Sequence, residues 1–83
     1  MINVNKRDGT TEPFSFDKLI NSIAKAGLSI QDAQKIAVIV QDWVNTHNVR
    51  GSIGSSEVRD QVILNIKKDF PIEGNNYESH SKL

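Results

Sequence analysis

The sequence predicts an α+β domain, in which a small three-stranded sheet (an N-terminal hairpin plus a short strand near 51–54) caps a four-helix bundle. The first observation behind this prediction is that apolar residues alternate along the first five positions and an Asp-Gly pair follows. The second is that three later segments repeat apolar residues at helical spacing. The length of 83 residues suits a single domain of this kind.

The N-terminal hairpin is predicted from alternation and from its turn. Ile2 and Val4 share one face, which predicts a strand over about 1–6. Asp8-Gly9 predicts a tight turn, because glycine accepts the positive φ that such turns require. A return strand is expected over about 9–14. Pro13 has no N–H to donate, so this strand should end there or lie at a sheet edge.

The first two predicted helices have clear signals at their ends and on their buried faces. The first follows Ser15, a suitable N-cap, and ends near Gly27. The second has the longest apolar stripe, and Ile36, Ile39 and Trp43 are expected to widen it. The predicted helical ranges for the whole chain are about 16–26, 30–47, 56–69 and 76–82.

The sequence signals for the last two predicted helices differ in strength. A serine of the pair Ser55-Ser56 should cap the third helix, which Phe70-Pro71 then stops. The fourth has weak periodicity, because only Tyr77 and Leu83 offer apolar contact.

Composition excludes several classes of function. Ten Lys and Arg balance ten Asp and Glu, and this zero net charge argues against nucleic-acid binding. The absence of cysteine removes thiolate metal sites and thiol nucleophiles, and no apolar run is long enough to span a bilayer. With no Walker A loop and no catalytic cluster, we expect a cytoplasmic binding protein rather than an enzyme. The cations that could contact a nucleic acid are Lys6, Arg7, Arg50, Arg59, Lys67 and Lys68.

Two stretches resemble the motifs of the ATP-cone domain. "VNKRDGTTEPFSFDKL" is similar to the opening of that family, and "IGSSEVRDQV" is similar to its second motif. Tyr77 resembles the tyrosine of the family's final helix, so the likeness covers nearly the whole chain. It implies a three-stranded sheet over a four-helix bundle that binds ATP or dATP, alone or with Mg²⁺, as a regulatory signal. Such domains usually lie at the N-terminus of ribonucleotide reductase subunits.

The resemblance implies a phosphate and sugar subsite in the first motif. Lys6, Arg7 and Lys18 match cations that meet the phosphates, and Glu12 matches a polar residue near the ribose. The residue types suit that chemistry, because arginine grips phosphate with a planar fork and lysine adds a mobile point charge.

The resemblance also implies a base subsite. Val4 and Leu19 match apolar residues beside the nucleotide, while Ser55, Glu57 and Arg59 match contacts from the start of the third helix. Glu57 is the residue that would read the adenine amino group.

Simpler interpretations stay open for the same residues. Pattern alone makes Lys6 to Gly9 a solvated hairpin turn and Glu57 an N-terminal helix charge. The shortness of the final helix motivates an alternative function, a protein-interaction module with the cone fold that has lost its nucleotide. Expected partners are a ribonucleotide reductase subunit, another protein or a second copy of the chain.

Overall fold

The computed structural model describes residues 2–80, and over these it has the predicted α+β architecture. The ends predicted for the first strand and the last helix, at residue 1 and residues 81–82, lie outside this range. The elements in chain order are β1 (Asn3–Asn5), β2 (Thr11–Pro13), α1 (Phe16–Ala24), α2 (Ile30–His47), β3 (Ser52–Gly54), α3 (Ser55–Asp69) and α4 (Pro71–His80).

The sheet has the order β2-β1-β3, with β2 antiparallel and β3 parallel to the central strand. The hairpin closes as predicted: Gly9 has a φ of 87°, and the Lys6 N–H donates to the Thr10 carbonyl at 2.8 Å. Pro13 ends the edge strand β2, where its missing N–H leaves no ladder bond unmade. Both strands of the hairpin are shorter than predicted.

The core lies between the sheet and the helices α1, α2 and α3. The stripe on α2 is buried as predicted, but Ile39 is not part of it, because its side chain is 51% exposed. Ile39 is one position from Val40 and therefore about 100° away around the helix, beyond the face that contacts α1 and α3. Trp43 lies at the margin of the core, half-buried, with its ring stacked on His47 at 4.6 Å.

Two helix ends differ from prediction. The N-cap of α3 is Gly54 rather than a serine, and its N–H donates to Glu57 Oε2 at 3.0 Å. The helix can therefore begin at Ser55, directly after β3. Helix α1 ends at Ala24 rather than near residue 26, because the N–H groups of Ala26 and Gly27 bond three residues back, as in a 3₁₀ turn.

Helix α4 begins at Pro71, so the predicted start at 76 is wrong. Proline suits the first position of a helix, where no N–H is needed, and the residue that stops α3 therefore also starts α4. The helix runs back along α3, since Gly74 faces Lys67 and the Glu78 carbonyl accepts from Arg59. Its buried residues are Gly74 and Tyr77, a pair too small and too polar to produce a periodic apolar signal.

Candidate functional site

A cleft opens where the sheet meets the N-terminal ends of α1 and α3. The cleft is open to solvent at its mouth, and the empty space in it, including that open part, is about 420 Å³. Five of its lining residues are apolar and four are polar. The lining residues are Val4, Glu12, Pro13, Phe14, Ser15, Lys18, Leu19, Ser55 and Val58.

The sheet contributes its inner face to this cleft. Val4 is paired directly with Glu12 on β2 and with Ile53 on β3. Residues directly opposite one another project from the same face of a sheet, and Ile53 is buried against the helices. The register therefore turns both Val4 and the Glu12 carboxylate toward the helices.

Two helix N-termini meet at the cleft. Ser15 is the N-cap of α1, where its hydroxyl accepts from the Lys18 N–H at 3.2 Å, and Ser55 is the first residue of α3. A tight turn at Arg50 and Gly51, both with positive φ, returns the chain from α2 to β3. Helix N-termini carry a partial positive charge, so this end of the molecule favours an anion.

Ser55 has an unusual environment for a polar residue. Ser55 is only 3% exposed, and its hydroxyl forms no hydrogen bond with any of residues 2–79. A buried hydroxyl without a partner is destabilising, and buried polar groups are normally paired. Since Ser55 lines the cleft, a ligand there could supply the missing partner.

The two lysines at the cleft converge on a single carboxylate oxygen. Lys6 Nζ lies 3.3 Å from Glu12 Oε2, and Lys18 Nζ lies 3.9 Å from the same atom. Lys6 follows β1 and Lys18 lies in the first turn of α1, so two elements bring their charges together. The side chains of Lys6 and Glu12 are each 38% exposed, and that of Lys18 is 74% exposed.

The structure thus brings together most of the nine residues implied by the motifs. Val4, Glu12, Lys18, Leu19 and Ser55 line the cleft. A sixth residue, Lys6, reaches the cleft through its ion pair with Glu12.

The remaining three residues do not line the cleft. Arg7 lies in the exposed hairpin turn and makes no ion pair within residues 2–80. Glu57 caps its own helix, as described above, and Arg59 donates to the Glu78 carbonyl of α4 at 2.6 Å.

Four lining residues were not among the expected site residues. They lie inside the two motif stretches, between the expected site residues, and the sequence indicates each only as a cap, a strand end or part of a buried face. The sequence signal that could have identified them was their position next to an expected site residue on the same strand or helix face. These residues are Pro13, Phe14, Ser15 and Val58.

Helix α4 is attached to both helices that border the cleft. Ser22 of α1 donates to the Tyr77 hydroxyl at 3.0 Å, one turn beyond Lys18. Lys67 of α3 donates to Glu78 Oε1 at 2.6 Å, and this hydrogen bond holds the pKa of Glu78 below its ordinary value. The C-terminal turn of α4 is therefore linked to the elements that carry Lys18 and Ser55.

Within residues 2–80, no three His, Asp or Glu side chains are grouped closely enough to hold a metal ion. Over the same residues, no helix has both the length and the apolar character needed to cross a membrane.

The comparison with protein families agrees with the motifs. The family model described as the ATP cone domain matches residues 2–78, nearly the whole chain. No curated protein matches the chain.

Proposed function

This chain belongs to the ATP-cone family, and we propose that it binds ATP or dATP in the cleft between the sheet and the N-termini of α1 and α3. ATP-cone domains are nucleotide-binding regulatory modules, and this chain is therefore one. The preferred nucleotide, the position of each group and the regulated partner are parts of the proposal.

The observation that carries the proposal is that one cleft combines apolar walls with convergent positive charge. Val4, Leu19 and Val58 offer aliphatic surface for a flat base. If the base of a nucleotide is buried there, its phosphate groups would lie toward the mouth of the cleft, where Lys6 and Lys18 both approach Glu12. An apolar body with a polyanionic tail describes a nucleotide better than a free phosphate or an apolar metabolite.

The phosphates would be held by charge and by helix ends. Lys6 and Lys18 supply ammonium groups, and Arg7 can reach outward from the neighbouring turn. A Mg²⁺ ion bound with the nucleotide would be held mainly by phosphate oxygens and water, the ligands that this ion prefers.

At the other end of the ligand, Ser55 would use its unpaired hydroxyl. Glu57 and Arg59 remain candidate contacts from the same helix. Each would exchange a bond within the protein for one to the ligand.

The regulatory output would pass through α4. The end of this helix is hydrogen-bonded to both helices at the cleft, so a shift of either helix would change the position of α4. We propose a ribonucleotide reductase subunit or a comparable cytoplasmic protein as the partner, with nucleotide-dependent oligomerisation as the response.

Isothermal titration calorimetry tests the binding proposal with ATP, dATP, ADP and GTP. We expect saturable binding of adenine nucleotides, weaker by about tenfold in Lys6→Ala and in Lys18→Ala, because each loses a charged phosphate contact. Lys35→Ala is the matched control: it removes an exposed lysine from α2 and should leave affinity unchanged. Absence of binding at millimolar ATP would exclude the proposal.

Ser55→Ala separates a role in binding from a role in folding. Removal of a buried, unpaired hydroxyl should not lower the free energy of unfolding. If the hydroxyl contacts the nucleotide, the same change weakens binding. Equal affinity in the variant and the parent would remove Ser55 from the site.

Size-exclusion chromatography with and without ATP tests the regulatory output, which is nucleotide-dependent oligomerisation. Self-association that does not change with nucleotide favours the alternative, an interaction module that has lost its ligand.

A further inference from the structure

The Glu12 carboxylate occupies the position in the cleft where a polyanionic ligand would be drawn. Its Oε2 is the only ion-pair partner of both Lys6 and Lys18 within residues 2–80. The register with Val4 holds Glu12 on the inner face of the sheet. The free protein therefore neutralises part of the positive charge that is proposed to attract phosphate.

We propose that Glu12 acts as an internal counter-ion that sets how strongly the cleft binds anions, an inference that rests on the proposed nucleotide site. In the free protein the carboxylate offsets the repulsion between two ammonium groups and keeps both at the cleft. When a polyphosphate arrives, its oxygens replace Glu12 as partners of Lys6 and Lys18. Glu12 thus lowers affinity by an amount that grows with the charge of the ligand.

The partial exposure of these side chains limits the effect. Lys18 is 74% exposed and Glu12 38%, so solvent screens both ion pairs. A carboxylate in this setting can be displaced by a ligand with several charges, whereas a single phosphate gains less from the exchange. Because repulsion from Glu12 grows with ligand charge, the carboxylate narrows the advantage that polyphosphates have over a monophosphate, and its neutralisation should widen that advantage.

The charge-neutral variant Glu12→Gln tests the proposal with a series of ligands of increasing charge: adenosine, AMP, ATP and inorganic tripolyphosphate. We expect Glu12→Gln to bind ATP and tripolyphosphate about two- to fivefold more tightly than the parent, the range for one partly exposed charge. The gain should be smaller for AMP and absent for adenosine. The affinity of the variant for ATP should also fall more steeply with added salt.

Glu73→Gln is the matched control. Glu73 is also half-buried, but it lies beside Gly27 at the opposite end of α1 and forms no ion pair within residues 2–80. It should change neither the affinities nor the salt dependence. Thermal melts of each variant establish that the fold is retained.

The outcomes separate this inference from the nucleotide site itself. If the parent binds ATP but Glu12→Gln binds tripolyphosphate equally or more weakly, the counter-ion role is wrong and the site stands. If the variant binds adenosine and ATP more weakly than the parent, and by the same factor, Glu12 contacts the nucleoside instead. That result also overturns the inference. If the parent binds no ATP, the proposed site fails. The counter-ion inference then survives only if Glu12→Gln gains tripolyphosphate binding.

Discussion

Helices α2 and α4 are held in the domain by different means. Helix α2 has 18 residues and buries a stripe of five: Ala33, Ile36, Ala37, Val40 and Val44. Helix α4 has ten residues, and among residues 71–79 it buries only Gly74 and Tyr77. Its attachment also includes polar contacts: Ser22 donates to Tyr77, Asn76 donates to the Ala26 carbonyl, and Arg59 and Lys67 donate to Glu78.

The difference shows how a small domain can combine a firm scaffold with an adjustable element. Burial of aliphatic groups on α2 is insensitive to salt and to ordinary pH. The contacts of α4 depend on close approach, hydrogen bonds and charge, and they lie on the two helices that border the cleft. Conditions or ligands that disturb those helices should therefore affect α4 first.

The largest expected effect comes from the scaffold. Ile36→Ala, at a side chain only 6% exposed, should lower the free energy of unfolding by about 3 kcal/mol, because it leaves a cavity in the core. Ile39→Ala makes the same chemical change three residues later at a side chain 51% exposed, and it should cost less than about 0.5 kcal/mol. Urea denaturation measures both. Similar losses in the two variants would mean that the face of α2 is misassigned.

A middle-sized effect is expected where α4 approaches α3 most closely. A Cβ added at Gly74 would lie 2.5 Å from Lys67 Cγ and 3.3 Å from the Lys67 backbone. Gly74→Ala should destabilise by about 1–2 kcal/mol, since overpacking outweighs the better helix propensity of alanine. Asn75→Ala, at an exposed neighbouring position, should be neutral or slightly stabilising. If Gly74→Ala raised stability, close contact would not be what holds α4.

The smallest expected effect concerns the charged contact of α4. The Lys67 hydrogen bond lowers the pKa of Glu78, so the pair stabilises the folded state above the ordinary pKa of a glutamate. That contribution disappears as the pH falls through the lowered pKa of the folded state, where Glu78 becomes protonated. Glu78→Gln should therefore be slightly less stable than the parent at neutral pH and equal to it in acid.

A double-mutant cycle with Lys67→Met measures this coupling by urea denaturation at both pH values. Because the pair is exposed, added salt should weaken the coupling at neutral pH. A coupling that persists in acid would assign the effect to packing of the long side chains instead of charge.

Much of the local structure could be predicted because each signal was contained in a few neighbouring residues. The turn at Asp8-Gly9, the cap at Ser15 and the edge position of Pro13 all depend on backbone geometry within one turn or strand. The long apolar stripe of α2 predicted a buried face for the same reason. The motifs at residues 4–19 and 53–62 predicted a set of residues that would lie together, and five of them line the cleft.

The sequence by itself determined the architecture, the turn at Asp8-Gly9, the cap at Ser15 and the family, because these depend on local pattern and motif. Only the tertiary structure decided that α3 begins at a glycine cap, that Ile39 faces solvent and that α4 begins at Pro71. Those outcomes depend on which face a neighbouring helix covers and on a close contact between Gly74 and Lys67. It also decided that one carboxylate, Glu12, meets both Lys6 and Lys18, because a strand, a helix and a loop must fold together before their charges can compete.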